Sequence, residues 1–191
     1  MKESSTPAIA IAAVGTAGRS HHLSPVEAEV LSLFDELREP LLRYLLSFSL
    51  APQDGEEVTQ DTFLALFQHL RRGKSRQNLR GWIFRVAHNL AMRKRRDDQR
   101  GIPNLSRPEW FPESVFIDPA PNPEDQLAAS QVRTRLMAVV DALPEQDRRC
   151  LFLRAEGLRY REIADVLEIS LSSVSVSLGR SLARISRAAG R

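Results

Sequence analysis

Six prolines stand within a short stretch near the middle of the chain, and they divide it into two parts. Each proline fixes its own φ, removes a backbone N–H donor and disfavours helical geometry at the preceding residue. The stretch from Gly101 to Asp125 also carries five acidic residues against the single base Arg107. We therefore expect an extended, charged linker over residues 101–125. The prolines are Pro103, Pro108, Pro112, Pro119, Pro121 and Pro123.

On the N-terminal side of this linker, apolar residues recur at three- and four-residue spacing, which indicates helices. The first helix is predicted to begin near Pro25 after Ser24, with a kink or a break at Pro40. Asp54 and Glu57 have the spacing of a capping box for the second helix. The third helix is predicted over residues 79–96. The expected inward residues are Leu31, Phe34, Leu37, Leu41, Leu45 and Phe48, then Phe63, Leu66, Phe67 and Leu70, then Leu79, Ile83, Val86 and Leu90.

The C-terminal part has the pattern of a helix-turn-helix. A short apolar face precedes a turn at Ile169, and Ser170 is placed to cap a second helix. Glu168 stands where such turns often have glycine, at a cost of about 1 kcal/mol if its backbone is left-handed. The alternative is a helical hairpin that only packs. On the second helix we expect Leu171, Val174, Leu178, Leu182 and Ile185 inward, and Ser173, Val176, Ser177, Arg180 and Arg184 outward.

No part of the chain alternates at period two for long enough to predict a strand. The predicted fold class is all-α, with two small helical domains joined by the flexible acidic linker. We place the first domain at residues 26–100 and the second at 126–187, after a disordered tail over residues 1–25.

Basic residues concentrate between Arg71 and Arg100, although the formal net charge of the whole chain is only +3. Eleven bases lie in this stretch, and only Asp97 and Asp98 oppose them. Such a local basic stripe favours a polyanionic partner such as nucleic acid. An ordinary solvated helix face is the alternative at this point.

The residue types argue against most catalytic functions. The single cysteine, Cys150, lies in an apolar stretch and forms no disulfide within this sequence. We find no carboxylate cluster for a metal, no glycine-rich phosphate loop and no nucleophile paired with histidine. A nuclease or small hydrolase is therefore disfavoured, and neither a metal nor a cofactor is expected. No segment has the roughly 20 apolar residues of a membrane span.

Three segments resemble a known family, in the right order and over residues 26–187. ALPEQDRRCLFLRAEGLRYREIADVLEISLSSVSVSLGRSLARI is similar to sigma region four, including its Tyr-x-Glu-Ile-Ala-x-x-Leu core. GEEVTQDTFLALFQHL resembles region 2.2, and NLRGWIFRVAHNLAMRKRR resembles regions 2.3 and 2.4. The chain is thus identified as similar to bacterial RNA polymerase sigma factors of the extracytoplasmic-function (ECF) group.

The resemblance implies three sets of binding residues. Contact with the clamp helices of the polymerase falls on Glu56, Glu57, Gln60 and Asp61. Reading and opening of the minus-ten element falls on Lys74, Ser75, Arg76, Gln77 and Asn78 in a loop, and on Arg80, Trp82, Arg85, His88, Asn89, Arg93 and Arg96 along the third helix. Binding of the minus-thirty-five element falls on Ser170, Ser172, Ser173, Val176, Ser177, Arg180 and Arg184.

The resemblance also implies partners: core RNA polymerase, promoter DNA and an anti-sigma protein. It implies a cytoplasmic location, no membrane insertion and no catalytic activity. One departure is that Ser175 and Ser177 stand where the family often has bases, which weakens the expected attraction to phosphates. The alternative function is a stand-alone helix-turn-helix regulator that never joins the polymerase.

Overall fold

The computed structural model describes residues 23–48, 50–100 and 123–189, and in these ranges it contains seven α-helices and no strand. The all-α prediction is therefore confirmed for the described part of the chain. Most of the predicted linker and tail lie outside these ranges, although α4 begins at Pro123. The helices are α1 (Pro25–Leu46), α2 (Pro52–Arg71), α3 (Leu79–Arg100), α4 (Pro123–Asp141), α5 (Glu145–Ala155), α6 (Tyr160–Leu167) and α7 (Leu171–Ala188).

Helix α1 begins as predicted and runs through Pro40 without a break. Ser24 and Glu27 form a reciprocal capping box, and Pro25 occupies the first turn, where its missing N–H costs nothing. Leu37 and Leu41, on either side of Pro40, are completely buried. Their burial offsets the roughly 3 kcal/mol that an internal proline costs a helix, so the predicted break does not occur.

The predicted capping box of α2 is wrong. The helix begins at Pro52, and no side chain caps it. Asp54 and Glu57 instead both form ion pairs with Lys94 of α3. The two carboxylates that the local spacing assigned to the helix cap are therefore used in ion pairs between α2 and α3.

Helix α3 is buried on two sides, whereas the sequence predicted one. It packs against α1 and α2 and also against α6. Ile83 was expected inward and is completely buried. Phe84, Ala87 and Ala91 are equally buried, although the apolar stripe did not include them. Both alanines belong to the hydrophobic cluster that also contains Ile163 of α6.

The helix-turn-helix has the predicted layout. Helix α5 ends before Gly157, whose φ of +87° suits a residue without Cβ. Glu168 closes α6 in the left-handed region with φ of 54°, so the anticipated strain is present. Ser170 then caps α7 by accepting a hydrogen bond from the backbone N–H of Ser173 at 3.1 Å.

The inward face of α7 differs from the prediction. Ser177 and Ser181 are completely buried, together with Val174 and Leu178. Leu182, expected inward, is 55% exposed. The Ser181 hydroxyl donates to the Ser177 carbonyl at 2.8 Å, so burial leaves its donor satisfied. The expectation that Ser177 lies outward and Leu182 inward is therefore wrong.

Helices α1–α3 (the N-terminal bundle) and helices α4–α7 (the C-terminal bundle) pack against each other. The buried cores of both bundles join in one hydrophobic cluster, which includes Phe84 of α3 and Ile163 of α6. We call the contacts of α1 and α3 with α5, α6 and the connection between them the interbundle interface. This arrangement was not predicted from the sequence.

The cap of α3 gives a first prediction. Asn78 has φ of 51°, and its side-chain oxygen accepts from the Gly81 N–H at 3.1 Å. Asn78→Ala should lower the free energy of unfolding by about 2 kcal/mol, roughly half from the lost cap and half from left-handed strain. Asn78→Gly should cost less, and Gln77→Ala, at an exposed neighbour, less than about 0.5 kcal/mol. Urea denaturation measures all three, and an equal cost for Asn78→Ala and Gln77→Ala would contradict the capping role.

Candidate polymerase- and DNA-binding surfaces

The predicted polymerase-contact residues share one side of α2. Gln60 and Asp61 are exposed. Glu56 accepts a hydrogen bond from Arg38 of α1 at 2.5 Å, and Glu57 pairs with Lys94. The two carboxylates beside Lys94 raise the pKa of its ammonium. The acids at the N-terminal end of this surface are therefore held by bases of the adjacent helices.

Sequence reasoning missed an apolar member of this surface. Leu64 is 55% exposed and follows Gln60 by one helical turn. The sequence did offer one signal: Leu64 is an apolar residue of α2 that falls outside the set predicted to face inward. An exposed leucine beside polar residues gives the surface a group that a protein partner can bury.

The predicted minus-ten loop, Lys74–Asn78, is exposed throughout. Arg76 donates to Glu29 of α1 at 3.0 Å, and His69 donates to the Ser75 carbonyl at 2.9 Å. Asn78 is engaged as the cap of α3. The chain's own groups therefore fix the loop between α1, α2 and α3.

Five of the predicted minus-ten residues form a continuous strip along α3. Arg85, Asn89, Arg93 and Arg96 are exposed and follow one another at helical spacing. The half-buried Trp82 begins the strip one turn earlier, and the centre of its ring lies 4.6 Å from the centre of the His69 ring. The side chains span about 20 Å of helix. The strip thus presents three bases, an amide and an aromatic ring on one surface.

Arg80 and His88 do not belong to this strip, although they were predicted with it. Arg80 donates to Glu36 at 3.0 Å and to the Glu156 carbonyl at 2.6 Å. His88 is 8% exposed, and its Nδ1 lies 2.8 Å from the Tyr44 hydroxyl. Burial, with the nearby Arg149, lowers the pKa of His88 to about 4. In this conformation His88 is buried, and the partly exposed Arg80 side chain is engaged by two acceptors of the chain itself.

The predicted minus-thirty-five residues divide between the surface and the interior. Ser172, Val176 and Arg184 are exposed. Ser170 hydrogen-bonds the hydroxyls of Ser172 and Ser173 at 2.8 and 2.7 Å, so these three serines also shape the start of α7. Ser177 is completely buried and accepts from Gln146 of α5 at 3.3 Å, so its hydroxyl is not on the surface. Leu171, expected inward, is 47% exposed beside them.

Arg180 has a structural partner. Its Nη2 donates to Asp147 Oδ1 at 2.9 Å, and the Asp147 side chain is only 1% exposed. The other carboxylate oxygen of Asp147 has no hydrogen-bond partner among the described residues. A buried carboxylate without a counter-charge is strongly destabilising. Arg180 therefore holds α7 against α5, although its side chain, like that of Arg184, remains exposed.

Two features are absent from the described ranges of the chain. None of their helices is long and apolar enough to cross a membrane. None of their side chains forms a group of three or more metal-ligating histidines, cysteines or carboxylates.

A helical bundle with a basic strip, followed on the same chain by a helix-turn-helix, defines a two-part DNA-binding protein. The family models agree with this description: Sigma-70 region 2 matches residues 33–101, and Sigma-70 region 4 matches residues 133–185. The chain belongs to the sigma-70 family of RNA polymerase sigma factors, in its ECF group. Proteins of this family direct promoter-specific initiation of transcription by RNA polymerase.

Curated relatives support this membership. The chain is 30% identical over 146 residues to the RNA polymerase sigma factor CnrH of Cupriavidus metallidurans, covering 73% of this chain and 75% of the relative. It is 32% identical over 142 residues to the ECF RNA polymerase sigma factor SigE of Mycolicibacterium smegmatis, covering 72% of this chain. That match spans only 53% of the length of SigE.

Two solved structures share the fold at 24% sequence identity. One is CnrH in complex with the cytosolic domain of CnrY, with a TM-score of 0.54, covering 84% of this chain and 86% of that one. The other is the sigma factor RpoE in complex with the anti-sigma factor NepR from Bartonella quintana, with a TM-score of 0.52, covering 82% and 96%. The fold of the described residues is therefore that of these sigma factors.

The buried His88 gives a second prediction. The pKa of His88 is near its ordinary value of 6.5 in the unfolded chain and is lowered to about 4 in the folded protein. The unfolded state therefore binds the proton first as pH falls, so the contribution to stability is complete above pH 6.5 and is lost progressively toward pH 4. His88→Gln should make the fall in unfolding free energy between pH 6 and 4.5 shallower, by about 1 kcal/mol per pH unit. Denaturation at a series of pH values measures it, and parallel curves would contradict it.

Proposed function

We propose that this chain joins core RNA polymerase and selects promoters by a division of labour between its two bundles. The N-terminal bundle contacts the polymerase and the minus-ten element, and the C-terminal bundle contacts the minus-thirty-five element. The observation that carries the proposal is the presence of sigma regions 2 and 4, in that order, on one chain. A stand-alone regulator would leave the region 2 match and the strip on α3 unexplained.

The α2 surface is the proposed polymerase contact. The exposed Leu64 supplies an apolar centre, and Gln60 and Asp61 beside it supply polar groups around that centre. Protein interfaces commonly combine an apolar core with a polar rim. The paired acids Glu56 and Glu57 lie at the edge, where their ion pairs keep α2 in place against α1 and α3.

The strip on α3 is the proposed path for the opened minus-ten strand. Single-stranded DNA is bound by a positive track for the backbone combined with aromatic surfaces for unstacked bases. Arg85, Arg93 and Arg96 provide the track, and Trp82 with His69 provides an aromatic surface at one end. The exposed loop residues Lys74 and Gln77 extend the polar surface beyond Trp82.

The exposed face of α7 is the proposed minus-thirty-five contact. Val176 supplies a methyl surface suited to a thymine methyl group, and Ser172 supplies a hydroxyl for a base edge or a phosphate. Arg184 supplies charge. Because Arg180 is drawn to Asp147 and Ser177 is buried, we expect fewer phosphate contacts here than seven predicted residues would give. Recognition then depends more on base edges than on charge.

An anti-sigma protein is the proposed negative regulator. The RpoE structure that shares this fold contains the anti-sigma factor NepR. A cytoplasmic location and the absence of catalytic activity complete the proposal, since the work of such a subunit is to position another enzyme on DNA.

A third prediction tests the division of labour in the complex with core polymerase. Arg93→Ala should weaken binding to minus-ten strand DNA, and Arg184→Ala should weaken binding to a minus-thirty-five duplex. Each should reduce the slope of log K against log salt by about one unit or slightly less, because each removes one phosphate contact. Arg135→Ala, at an exposed base of α4, is the matched control and should change neither slope.

Binding to immobilised core polymerase should be unchanged in all three variants. A chain that fails to bind core polymerase yet protects promoter DNA alone would instead be a stand-alone regulator. Arg180→Ala is unsuitable for this comparison, because it also leaves the buried Asp147 carboxylate without its counter-charge.

A further inference from the structure

Gly179 stands in the interior of α7, where glycine is an unfavourable residue. A glycine inside a helix loses more backbone freedom on folding than any other residue. Relative to alanine, this costs about a four- to five-fold loss in the equilibrium constant for folding. A glycine at such a position therefore needs a compensating reason, either in the packing of the chain or in its function.

The other glycines of the described ranges have their reason within the chain. Gly73 and Gly157 have positive φ angles of 65° and 87°, which suit a residue without Cβ. A Cβ on Gly55 would lie 3.1 Å from a leucine side chain of α1. A Cβ on Gly81 would collide with the Asn78 side chain, which caps α3. Turn geometry or close packing thus explains each of these four positions.

Neither reason applies to Gly179. Its φ is not positive, so the backbone has the ordinary helical geometry that alanine adopts without strain. Apart from its own helix, no atom of the described residues lies within 4 Å of a Cβ built at this position. The residue is exposed. The described part of the chain therefore leaves room for a side chain at Gly179, and the reason for its absence lies in a partner.

Gly179 lies on the face of α7 that is proposed to contact the minus-thirty-five element. It follows Val176 by three residues and Ser172 by seven, and these spacings place the three residues on one side of the helix. All three are exposed. Glycine is the residue that allows a ligand to approach the backbone most closely. The partner that this face indicates is the promoter duplex.

The charge of the exposed surface of α7 changes at Gly179. Bases begin directly after it with Arg180 and continue with Arg184 and Arg187. The exposed residues before it are uncharged, namely Leu171, Ser172, Ser175 and Val176. Hydroxyl and methyl groups can contact base edges, whereas guanidinium groups favour phosphates. Gly179 therefore lies where the base-reading part of the helix meets the phosphate-binding part.

The length of α7 leads to the same assignment. Gly179 lies about 12 Å along the axis from the first residue of the helix, at 1.5 Å per residue. The major groove is only about 8.5 Å deep. When the N-terminal residues of a recognition helix contact base edges, its third turn is therefore level with the sugar–phosphate wall of the groove.

We propose that Gly179 is a positioning residue at which the sugar–phosphate backbone of the minus-thirty-five duplex approaches α7 too closely for a side chain. The missing Cβ lets the helix lie deep enough for Val176 and Ser172 to reach the bases. The inference rests on the minus-thirty-five role of α7 proposed above. It adds to that site a residue that acts through its lack of a side chain.

Gly179→Ala in the full-length chain should change stability and DNA binding in opposite directions. The melting temperature of the free chain should rise by about 2–4 °C, because alanine favours the helix and meets no neighbour. The complex with core polymerase should bind its promoter about ten-fold more weakly, a loss typical of one contact at a protein–DNA interface. Gly179→Leu should also be more stable than the wild type and should bind more weakly still.

Ser32→Ala is the matched control. Ser32 is an exposed residue in the interior of α1, so the change also replaces a weaker helix former by alanine, but far along the chain from α7. This variant should melt slightly higher than the wild type and bind promoter DNA with unchanged affinity. A loss of affinity in Ser32→Ala as large as that in Gly179→Ala would overturn the proposal.

The DNA probe is a promoter duplex that the wild-type complex selects from a randomised library, together with single base-pair variants of its minus-thirty-five element. Thermal denaturation gives the melting temperatures, and fluorescence anisotropy gives the affinities. Gly179→Ala should weaken binding to every duplex by the same factor, because the sugar–phosphate backbone is common to all sequences. A higher melting temperature, weaker binding and an unchanged order of base preference support the proposal.

Three results would overturn it. Unchanged affinity in Gly179→Ala would show that no DNA group approaches this position. An altered order of base preference would place Gly179 against a base edge instead of the sugar–phosphate backbone. A lower melting temperature would mean that the chain itself requires the glycine.

The wild-type complex, measured in parallel, separates these results from a failure of the proposed function. If the wild-type complex selects promoters and Gly179→Ala binds them equally well, only the close approach at Gly179 is wrong. If the wild-type complex selects no promoter, the sigma function fails, and the inference about Gly179 fails with it.

Discussion

The burial of α3 from two sides is the constraint on which the rest of the structure depends. One side packs on α1 and α2, and the other receives α6. The completely buried Phe84, Ala87 and Ala91 belong to the core that joins the two bundles. Because α3 is also the proposed minus-ten helix, the same element contributes to the hydrophobic core, to the interbundle interface and to DNA binding.

The exposed strip on α3 is compatible with this double burial because each role uses a different side of the helix. Arg85, Asn89 and Arg93 remain in solvent. Arg80, His88 and Arg95 turn toward α5 and α6 or the core beneath them. The cost of burying His88 appears in its lowered pKa, and the hydrogen bond with Tyr44 satisfies one ring nitrogen. Solvent exposure thus divides residues that the linear sequence presents as one basic segment.

One of the basic residues of α7, Arg180, has a structural role in the folded chain. The buried Asp147 requires a counter-charge, and Arg180 supplies it from α7. Ser177, at a position where the family often carries a base, is buried against α5. A larger, charged side chain at this position would have to leave the interior. The serine-rich character of α7 is therefore in part a packing requirement of this chain.

The helices and their order were predictable because apolar spacing and caps are local signals. Ser24, Ser170 and the left-handed Glu168 all act within a few residues of their positions in the sequence. The family segments likewise predicted that sigma region 2 precedes sigma region 4 along the chain.

Contacts between distant residues were not predictable in this way. Asp54 and Glu57 have the spacing of a capping box, but both instead form ion pairs with Lys94 of another helix. Ala87 and Ala91 carry too little hydrophobic signal to reveal a second buried side of α3. The Arg43–Glu156 pair joins residues more than a hundred positions apart, and no local pattern indicates it. The division of the predicted binding residues into exposed and buried ones follows from these contacts.

The proposed division of labour requires the two bundles to contact promoter elements about 25 base pairs apart, or roughly 85 Å of duplex, whereas α3 and α7 both pack against α6 in the structure. The distance between the two bundles in the free chain and on a promoter therefore tests this division most directly. Dyes attached at exposed positions Gln68 of α2 and Ser186 of α7, each replaced by cysteine, report it by energy transfer, while the native Cys150 is buried. We expect efficient transfer in the free chain and a loss of transfer when core polymerase and promoter DNA are added together. Transfer that stays efficient in a complex that initiates transcription would contradict the division of labour.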